Sequence, residues 1–445
     1  MKKSFIIIAS ILLLISFKAF AQSGMKFAEF AQRLEPYYDK ELIDDLKKQL
    51  PQGSDFSIWG WDVGDFSGDG FFDVACAVRL TGDKKKTVYV YMFVDMEGFL
   101  TKVGQFPYEY FEMPLEIGIA IKNGNCYVTR KRKQFDWLIR GYTFDNGSLI
   151  ILDEYSTVPI DRITEETYKN YQTLQNSVKY LQTTSGKELF KAKYMTIPCY
   201  QRGRQIFKGY ASETYDNFID FVYRGAYYWD GDNDASFSVS SAYDNDYLYL
   251  TVYVRDDKLI IQNCDTCICD NVEAWFDISG YSKGENRFMY KDKGSLVFRT
   301  VADTGIYCFS VYPGDFLENK SFVRISTTDE IVSDLKESAK KVKSVSSLKK
   351  DGYVVKFKIP FEIFGFSQVP LDDNKLTKLG CTIVVHDFDN EFRPEEETII
   401  ATSNFNSLNP STYGEMVFVP AEKWYGETIN IYLEEIIKNL TEFGF

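Results

Sequence analysis

From Phe56 to about Ser156, and again from Ala235 to Val419, the chain is written in short apolar segments closed by turn residues. "FFDVACAVRL", "KTVYVYMFVD", "EIGIAIK" and "WLIRGYTF" follow one another in the first stretch, with "KNGN" and "DNGS" marking hairpin turns. "ASFSVSSAYDNDYLYLTVYVRDD" opens the second stretch with two strands around a tight "DND" turn. Consecutive strands without crossover helices pair antiparallel. The pattern therefore predicts a mainly β protein of two β-rich domains, the C-terminal one an antiparallel β-sandwich, with short flanking helices. An aromatic content of 16%, with 31 Tyr and 36 Phe, favours strands and supplies core volume.

Helical spacing is confined to three places. Residues 25–50 carry Phe27, Phe30, Leu34, Leu42, Ile43, Leu46 and Leu50 on one face, with Pro36 expected to divide them into two helices. "ITEETYKNYQTLQNSVKYLQ" (Ile163–Gln182) reads as an amphipathic helix with Thr164 as N-cap. "TINIYLEEIIKNLTEF" reads as a C-terminal helix. The expected organisation is a signal peptide at 1–21, an α+β domain at 22–185, a linker at 186–205, the sandwich at 206–422 and the terminal helix at 423–445.

The signal peptide is expected from "MKKSFIIIASILLLISFKAFAQ", two lysines before an apolar run and small residues at Ala19 and Ala21. The protein is therefore expected to be exported, periplasmic or extracellular, with no transmembrane segment. A net charge of −13 argues against nucleic acid as a partner and suits cations. Eight cysteines in an exported chain are expected to form disulfides, with free thiols and a metal site as the alternatives. The single histidine, His386, leaves little room for triad catalysis and reads as a strand-end residue, so no catalytic residue and no enzyme activity are expected.

"GDFSGDGFFDVA" (Gly64–Ala75) concentrates oxygen ligands at Asp65, Ser67, Asp69 and Asp73, with Phe71 offering a carbonyl and Gly68 and Gly70 between them. Calcium takes six to eight such oxygens. A structural calcium ion is expected there, a solvated turn being the alternative. The loop resembles the calcium loops of FG-GAP and VCBS-type repeats, although only one copy is present. "YYWDGDND" (Tyr227–Asp234) reads as a solvated turn, a second cation loop being its alternative.

Five segments in order resemble the family 9 carbohydrate-binding module and its DOMON-like relatives. They are "VSSAYDNDYLYLTVYVRDD", "CDNVEAWFDIS", "DGYVVKFKIPFEIFG", "LGCTIVVHDFDN" and "NPSTYGEMVFV". The resemblance implies a sandwich fold, carbohydrate as ligand, and Glu273 and Arg299 as polar ligand-binding residues. Two tryptophans sandwich the sugar in members that bind it. Their positions here fall at Cys267 and near Leu408, and a ligand-binding amide becomes Val384. Tyr413 and Trp229 are the candidate aromatic replacements, with Phe405 a further one. Trp275 reads as core. The expected function is non-catalytic glycan binding. The alternative is a cell-envelope scaffold or protein-interaction module that keeps the sandwich and has lost the sugar.

Overall fold

The computed structural model describes the chain outside residues 1–23, 53–54, 82–86, 110–115, 134, 146, 203–220, 262–267, 280–287, 293–294, 299–304, 329–333, 367–376, 421–427 and 430–445. The expected signal peptide lies outside the described residues, as does the expected terminal helix apart from Thr428–Ile429. No helix among the described residues is long and apolar enough to cross a membrane. The chain divides into two compact units. The first holds residues up to Gln172, Lys179–Phe190 and the residues from Gly426; the second holds Thr173–Val178 and Lys191–Tyr425.

The first unit is three-layered. Helices α1 (Phe27–Leu34) and α2 (Lys40–Gln49) are separate, as Pro36 predicts, and Asp39 caps α2 by accepting from Leu42 N. Strands β1 (Phe56–Gly64), β2 (Asp73–Leu80), β3 (Thr87–Asp95) and β4 (Leu100–Glu109) form an antiparallel meander. Side chains alternate across a strand, so β2 serves two cores. Val74, Cys76 and Val78 meet Phe30, Leu34 and Leu46 of the helical layer. Ala75 and Ala77 meet a second sheet, β5 (Glu116–Lys122), β6 (Asn125–Lys133), β7 (Asp136–Asp145) and β8 (Ser148–Ile160), through Ile117, Val128, Tyr142 and Leu149. Thr428–Ile429 pair with β8 as strand.

Residues 163–182 are not helical. They form β9 (Ile163–Asn170) and β10 (Gln175–Gln182), and β9 pairs with β8 across the Asp161–Arg162 turn. The segment carries three Thr and three Tyr, with Ile163 and Val178, residue types that pack better on a pleated surface than in a helix. Leu174, at φ 59°, ends any helical path between the two strands. The expected linker at 186–205 is also corrected. It contains β11 (Glu188–Gln201), fourteen residues of strand, buried without interruption from Tyr194 to Tyr200.

The second unit is the expected sandwich. Its strands are β12 (Val222–Arg224), β13 (Ala235–Tyr243), β14 (Tyr247–Asp256), β15 (Asn271–Asp277), β16 (Met289–Asp292), β17 (Ser295–Phe298), β18 (Ile306–Tyr312), β19 (Phe322–Thr327), β20 (Lys343–Lys349), β21 (Gly352–Pro360), β22 (Thr377–Asp387), β23 (Thr398–Ala401) and β24 (Glu415–Val419). One leaf runs β20-β21-β14-β13 and the other β24-β22-β15-β18-β19, all antiparallel. Strand β11 joins the leaves by pairing in parallel with both β13 and β24. The far half of β22 pairs with β23, which pairs with β12. Between the leaves lies one apolar core, with Val252, Val254 and Phe357 from one side and Ala274, Phe276, Phe309 and Ile383 from the other.

The disulfide expectation is corrected for the described cysteines. Cys76, Cys126, Cys199, Cys308 and Cys381 are free and buried, and Cys269 is buried. They are spread over six different segments and serve as small apolar core residues, Cys76 and Cys126 even belonging to different cores. Burial pushes the Cys76 and Cys126 thiols far up. Cys264 and Cys267 lie outside the described residues.

Candidate functional site

Strand β15 turns Val272, Ala274 and Phe276 into the core and Glu273 and Trp275 onto the outer face. Its neighbours do the same: Ile383 and Val385 of β22 point inward, Val384 and His386 outward. Register sets Glu273 between Val384 on one side and Ser310 on the other, with His386 diagonally adjacent. Glu273 Oε1 accepts from Ser310 Oγ at 2.9 Å, and Oε2 accepts from Trp275 Nε1 at 2.7 Å. His386 Nε2 stands 3.4 Å from Oε2. That distance gives a charge contact rather than a tight hydrogen bond.

The other nitrogen of His386 makes the tighter contact. Nδ1 lies 2.7 Å from Glu397 Oε1, and Glu397 Oε2 accepts from Arg224 Nη1 at 3.0 Å. Four charged side chains thus alternate in sign: Arg224, Glu397, His386, Glu273. Burial alone would lower the His386 pKa, but the two glutamates outweigh it and raise it to about 9. Burial tends to raise Glu273, but the hydrogen bond and charge of His386, with Trp275 and Ser310, hold it below its ordinary value. Near neutral pH the face presents a charged imidazolium beside an ionised carboxylate.

An aromatic group adjoins this chain of charges. Trp275 and Phe405 have ring centroids 5.4 Å apart, Phe405 and Tyr413 5.3 Å, and Tyr223 meets Phe405 edge-on at 5.8 Å. Tyr223 is half exposed. Tyr413 has no exposed surface and donates its hydroxyl to Ser407 O at 2.9 Å, so it supports the group from below. Gly414 follows because a Cβ there would stand 2.5 Å from Cys381 O of the neighbouring strand β22. Trp229 sits apart from this group: Nε1 donates to Ala235 O and the ring packs on the main core. Arg299 and Cys267 lie outside the described residues. Val384 is buried among Trp275, Phe405 and Tyr413, while Leu408 is 79% exposed.

Of the residues singled out by sequence, the structure brings Glu273 and Tyr413 to one face. Phe405 joins them, as does His386, which was read only as a strand-end residue; Glu397, Arg224, Ser310 and Tyr223 were not singled out. The outward parity of His386 with Val384 was a usable signal in "GCTIVVHD"; the partners, distant in sequence, left none.

In the first unit, Asp65–Asp73 connects β1 to β2 as expected, with Gly64 opposite Asp73. Gly68 and Gly70 take φ of 79° and 92°. Asp65 accepts from Gly68 N at 2.6 Å, Gly70 N at 3.0 Å and Ser67 Oγ at 3.4 Å. Asp69 accepts from Phe71 N, and both residues are exposed. Asp73 is fully buried and accepts from Phe66 N, Ser67 N and Asp95 N. Burial raises its pKa to about 6 against those three N–H groups.

Residues 209–421 match the model of the family described as carbohydrate family 9 binding domain-like. Among solved structures, the chain is similar to a family 9 carbohydrate-binding module from Caldicellulosiruptor kristjanssonii. The glucose complex aligns over 53% of this chain and 99% of its own, at 15% identity and TM-score 0.31. The cellotriose complex aligns over 54% and 97%, at the same identity and TM-score. No curated protein sequence matches the chain.

Proposed function

We propose that this protein, whose C-terminal region is CBM9-like, is an exported, non-catalytic protein that binds a glycan on the outer face around Glu273. One observation carries the reading: a carboxylate kept ionised on a sheet face, braced by His386, Trp275 and Ser310, and joined through the rings of Trp275 and Phe405 to the half-exposed ring of Tyr223. An ionised carboxylate accepts hydrogen bonds from sugar hydroxyls, and an aromatic ring packs against the C–H face of a pyranose. Arg299 is a further polar contact in this reading, with Tyr413 as a support; Trp229, packed on the main core, takes no part in this face. Export rests on the opening "MKKSFIIIASILLLISFKAFAQ". A structural calcium ion at Asp65, Ser67, Asp69, Phe71 and Asp73 belongs to the same reading, supported by the left-handed glycines that shape the loop.

A second reading, a scaffold that docks a cell-envelope or secreted protein, is favoured by Val384. It is buried under aromatics where sugar-binding relatives offer an amide. Calorimetric titration with oligosaccharides separates the two. The first reading expects binding that falls at least tenfold in Glu273→Gln. Unchanged binding in that variant removes Glu273 from the site. No binding across cello-, xylo- and manno-oligosaccharides favours the scaffold, and capture of exported proteins then identifies its partner.

A further inference from the structure

The chain carries a net −13, yet one stretch of it is strongly basic. From Lys336 to Lys358 there are eight lysines against two acids, Glu337 and Asp351, a net +6. The stretch folds as a short helix, α3 (Leu335–Lys341), and then as β20 and β21. Parity decides which side the lysines take. Strand β21 turns Tyr353, Val355, Phe357 and Ile359 into the core, so Lys356 and Lys358 point outward. Register sets Lys343 of β20 beside Lys358, and Val345, 62% exposed, beside Lys356. On the other flank β14 sets Tyr249 beside Lys358 and Thr251 beside Lys356. Strand β13 adds Ser238 and Ser240. No described residue at an outward position on these four strands is acidic. This face belongs to the leaf opposite the one that carries Glu273.

Lysines on an outermost strand guard it against pairing with another chain, and that would account for β20. It does not account for Lys356 and Lys358, whose strand lies between β20 and β14. Like charges directly opposite on paired strands destabilise a sheet, so Lys343 and Lys358 cost stability as they stand. Among the described residues, Lys343, Lys349, Lys350, Lys356 and Lys358 form no salt bridge, while Lys340 and Lys341 pair with Glu337 and Glu362. Acids at the margin are engaged elsewhere. Asp244 accepts from Tyr249 Oη at 2.6 Å, and Asp351 accepts from Tyr253 and stands 3.5 Å from Arg255 Nε. Rings line the same face. Lys358 Nζ stands 4.1 Å from the Tyr247 ring centroid, Tyr247 and Tyr249 have centroids 6.2 Å apart, and the Arg202 guanidinium lies 4.6 Å over Tyr249.

We propose that this face binds an acidic polysaccharide, a chain of uronic acid residues, with its carboxylates on Lys343, Lys356 and Lys358 and its sugar rings against Tyr247 and Tyr249. Each ammonium is a point charge with three donors, which suits a carboxylate approached from solvent. Tyrosine rings pack on the C–H faces of pyranoses, and the serine and threonine hydroxyls beside them match sugar hydroxyls. Charge density favours a polyuronate over nucleic acid. Duplex DNA carries one charge per about 1.7 Å, and the rest of this chain is more acidic still than its net −13. A polyuronate carries a single charge on each sugar ring. Lys356 and Lys358 are about 7 Å apart along β21, and Lys343 is about 5 Å across from Lys358, an array of comparable sparseness. The face shares no residue with the Glu273 site and needs no sugar there.

The test uses the full chain in chelator, so that calcium cannot bridge carboxylates. Polygalacturonate is the probe, read by affinity electrophoresis and by calorimetry. It should retard the protein, and affinity should fall at least fivefold between about 50 and 200 mM salt. The double variant Lys356→Ser with Lys358→Ser, changed only on the solvent side, should bind at least tenfold more weakly. Tyr247→Ser should lower affinity at least threefold and leave the salt dependence unchanged, which a purely electrostatic surface would not show. Glu273→Gln should leave polygalacturonate affinity within twofold, so that failure at the Glu273 site and failure here are read separately. Binding unchanged in the lysine variant would overturn the proposal, as would no retardation at the lower salt. So would a DNA duplex that binds as tightly as polygalacturonate, which would make the face a general polyanion surface.

Discussion

His386 stands between two glutamates, 2.7 Å from Glu397 and 3.4 Å from Glu273, on a face where Arg224 balances the remaining charge. Its pKa rises from 6.5 in an unfolded chain to about 9 here. The stabilisation is fully present below about pH 6.5 and is lost as pH climbs through about 9. A gap of that size corresponds to at most about 3 kcal/mol. As the only histidine, His386 gives one imidazole signal in a proton NMR titration. That signal should titrate near pH 9, and should titrate lower in Glu273→Gln. The thermal midpoint should fall between pH 6.5 and 9.5 more steeply in the native protein than in His386→Gln. Equal slopes would mean that the imidazole is neutral in the fold. Glu273 was legible beforehand because it sits in a run of strand residues whose order resembles a family. Glu397 and Arg224 were not, being 11 and 173 residues from their respective partners. Contacts of that kind are made by strand pairing and carry no local pattern.

At the scale of the element, the loop before β2 contains acids of two kinds. Asp73 ties the loop to β3 through three main-chain N–H groups, one of them from Asp95. Asp69 is exposed and holds only the N–H of Phe71. Asp73→Ala should therefore destabilise the first unit by about 3 kcal/mol, because buried donors are left without an acceptor. It should do so with or without calcium. Asp69→Ala should leave stability in chelator almost unchanged and alter only the response to calcium. Differential scanning calorimetry of both variants, with and without calcium, reads the difference. A loss in Asp73→Ala that appears only with calcium and is absent in chelator would mean that the buried carboxylate acts as a metal ligand alone and not also as a brace. The hairpins of this unit were legible from their Asn-Gly turns. Strands β9 and β10 were not, because Tyr168, Tyr171, Leu174 and Val178, spaced three and four apart, imitate a helical face. What decided their structure was the burial of Asn176, Val178 and Tyr180 at every second position, on neighbours far along the chain.

At the scale of the molecule, the resemblance and the matched family model begin at Val239 and residue 209, yet the second unit reaches back to Thr173. Strand β11 is the piece that local reading assigned to a linker. It pairs in parallel with β13 in one leaf and β24 in the other, so its removal takes a strand from the place where the leaves meet. A short polar chain fastens it: Asn176 Nδ2 donates to Thr196 Oγ1, which donates to the buried Glu415, itself paired with Lys378. Without β11, Glu415 keeps its lysine and loses the hydroxyl, and two strands expose main-chain edges to water. Family order could reveal the strands that carry family motifs. It could not reveal a strand that has no motif, only a run of buried residues from Tyr194 to Tyr200. A fragment of residues 206–425 should thus show no cooperative thermal transition by circular dichroism, whereas residues 173–425 should unfold in a single one. If the shorter fragment melts as sharply as the longer, β11 is an accessory to the sandwich, and the 186–205 segment is a linker in energetic terms despite its strand geometry.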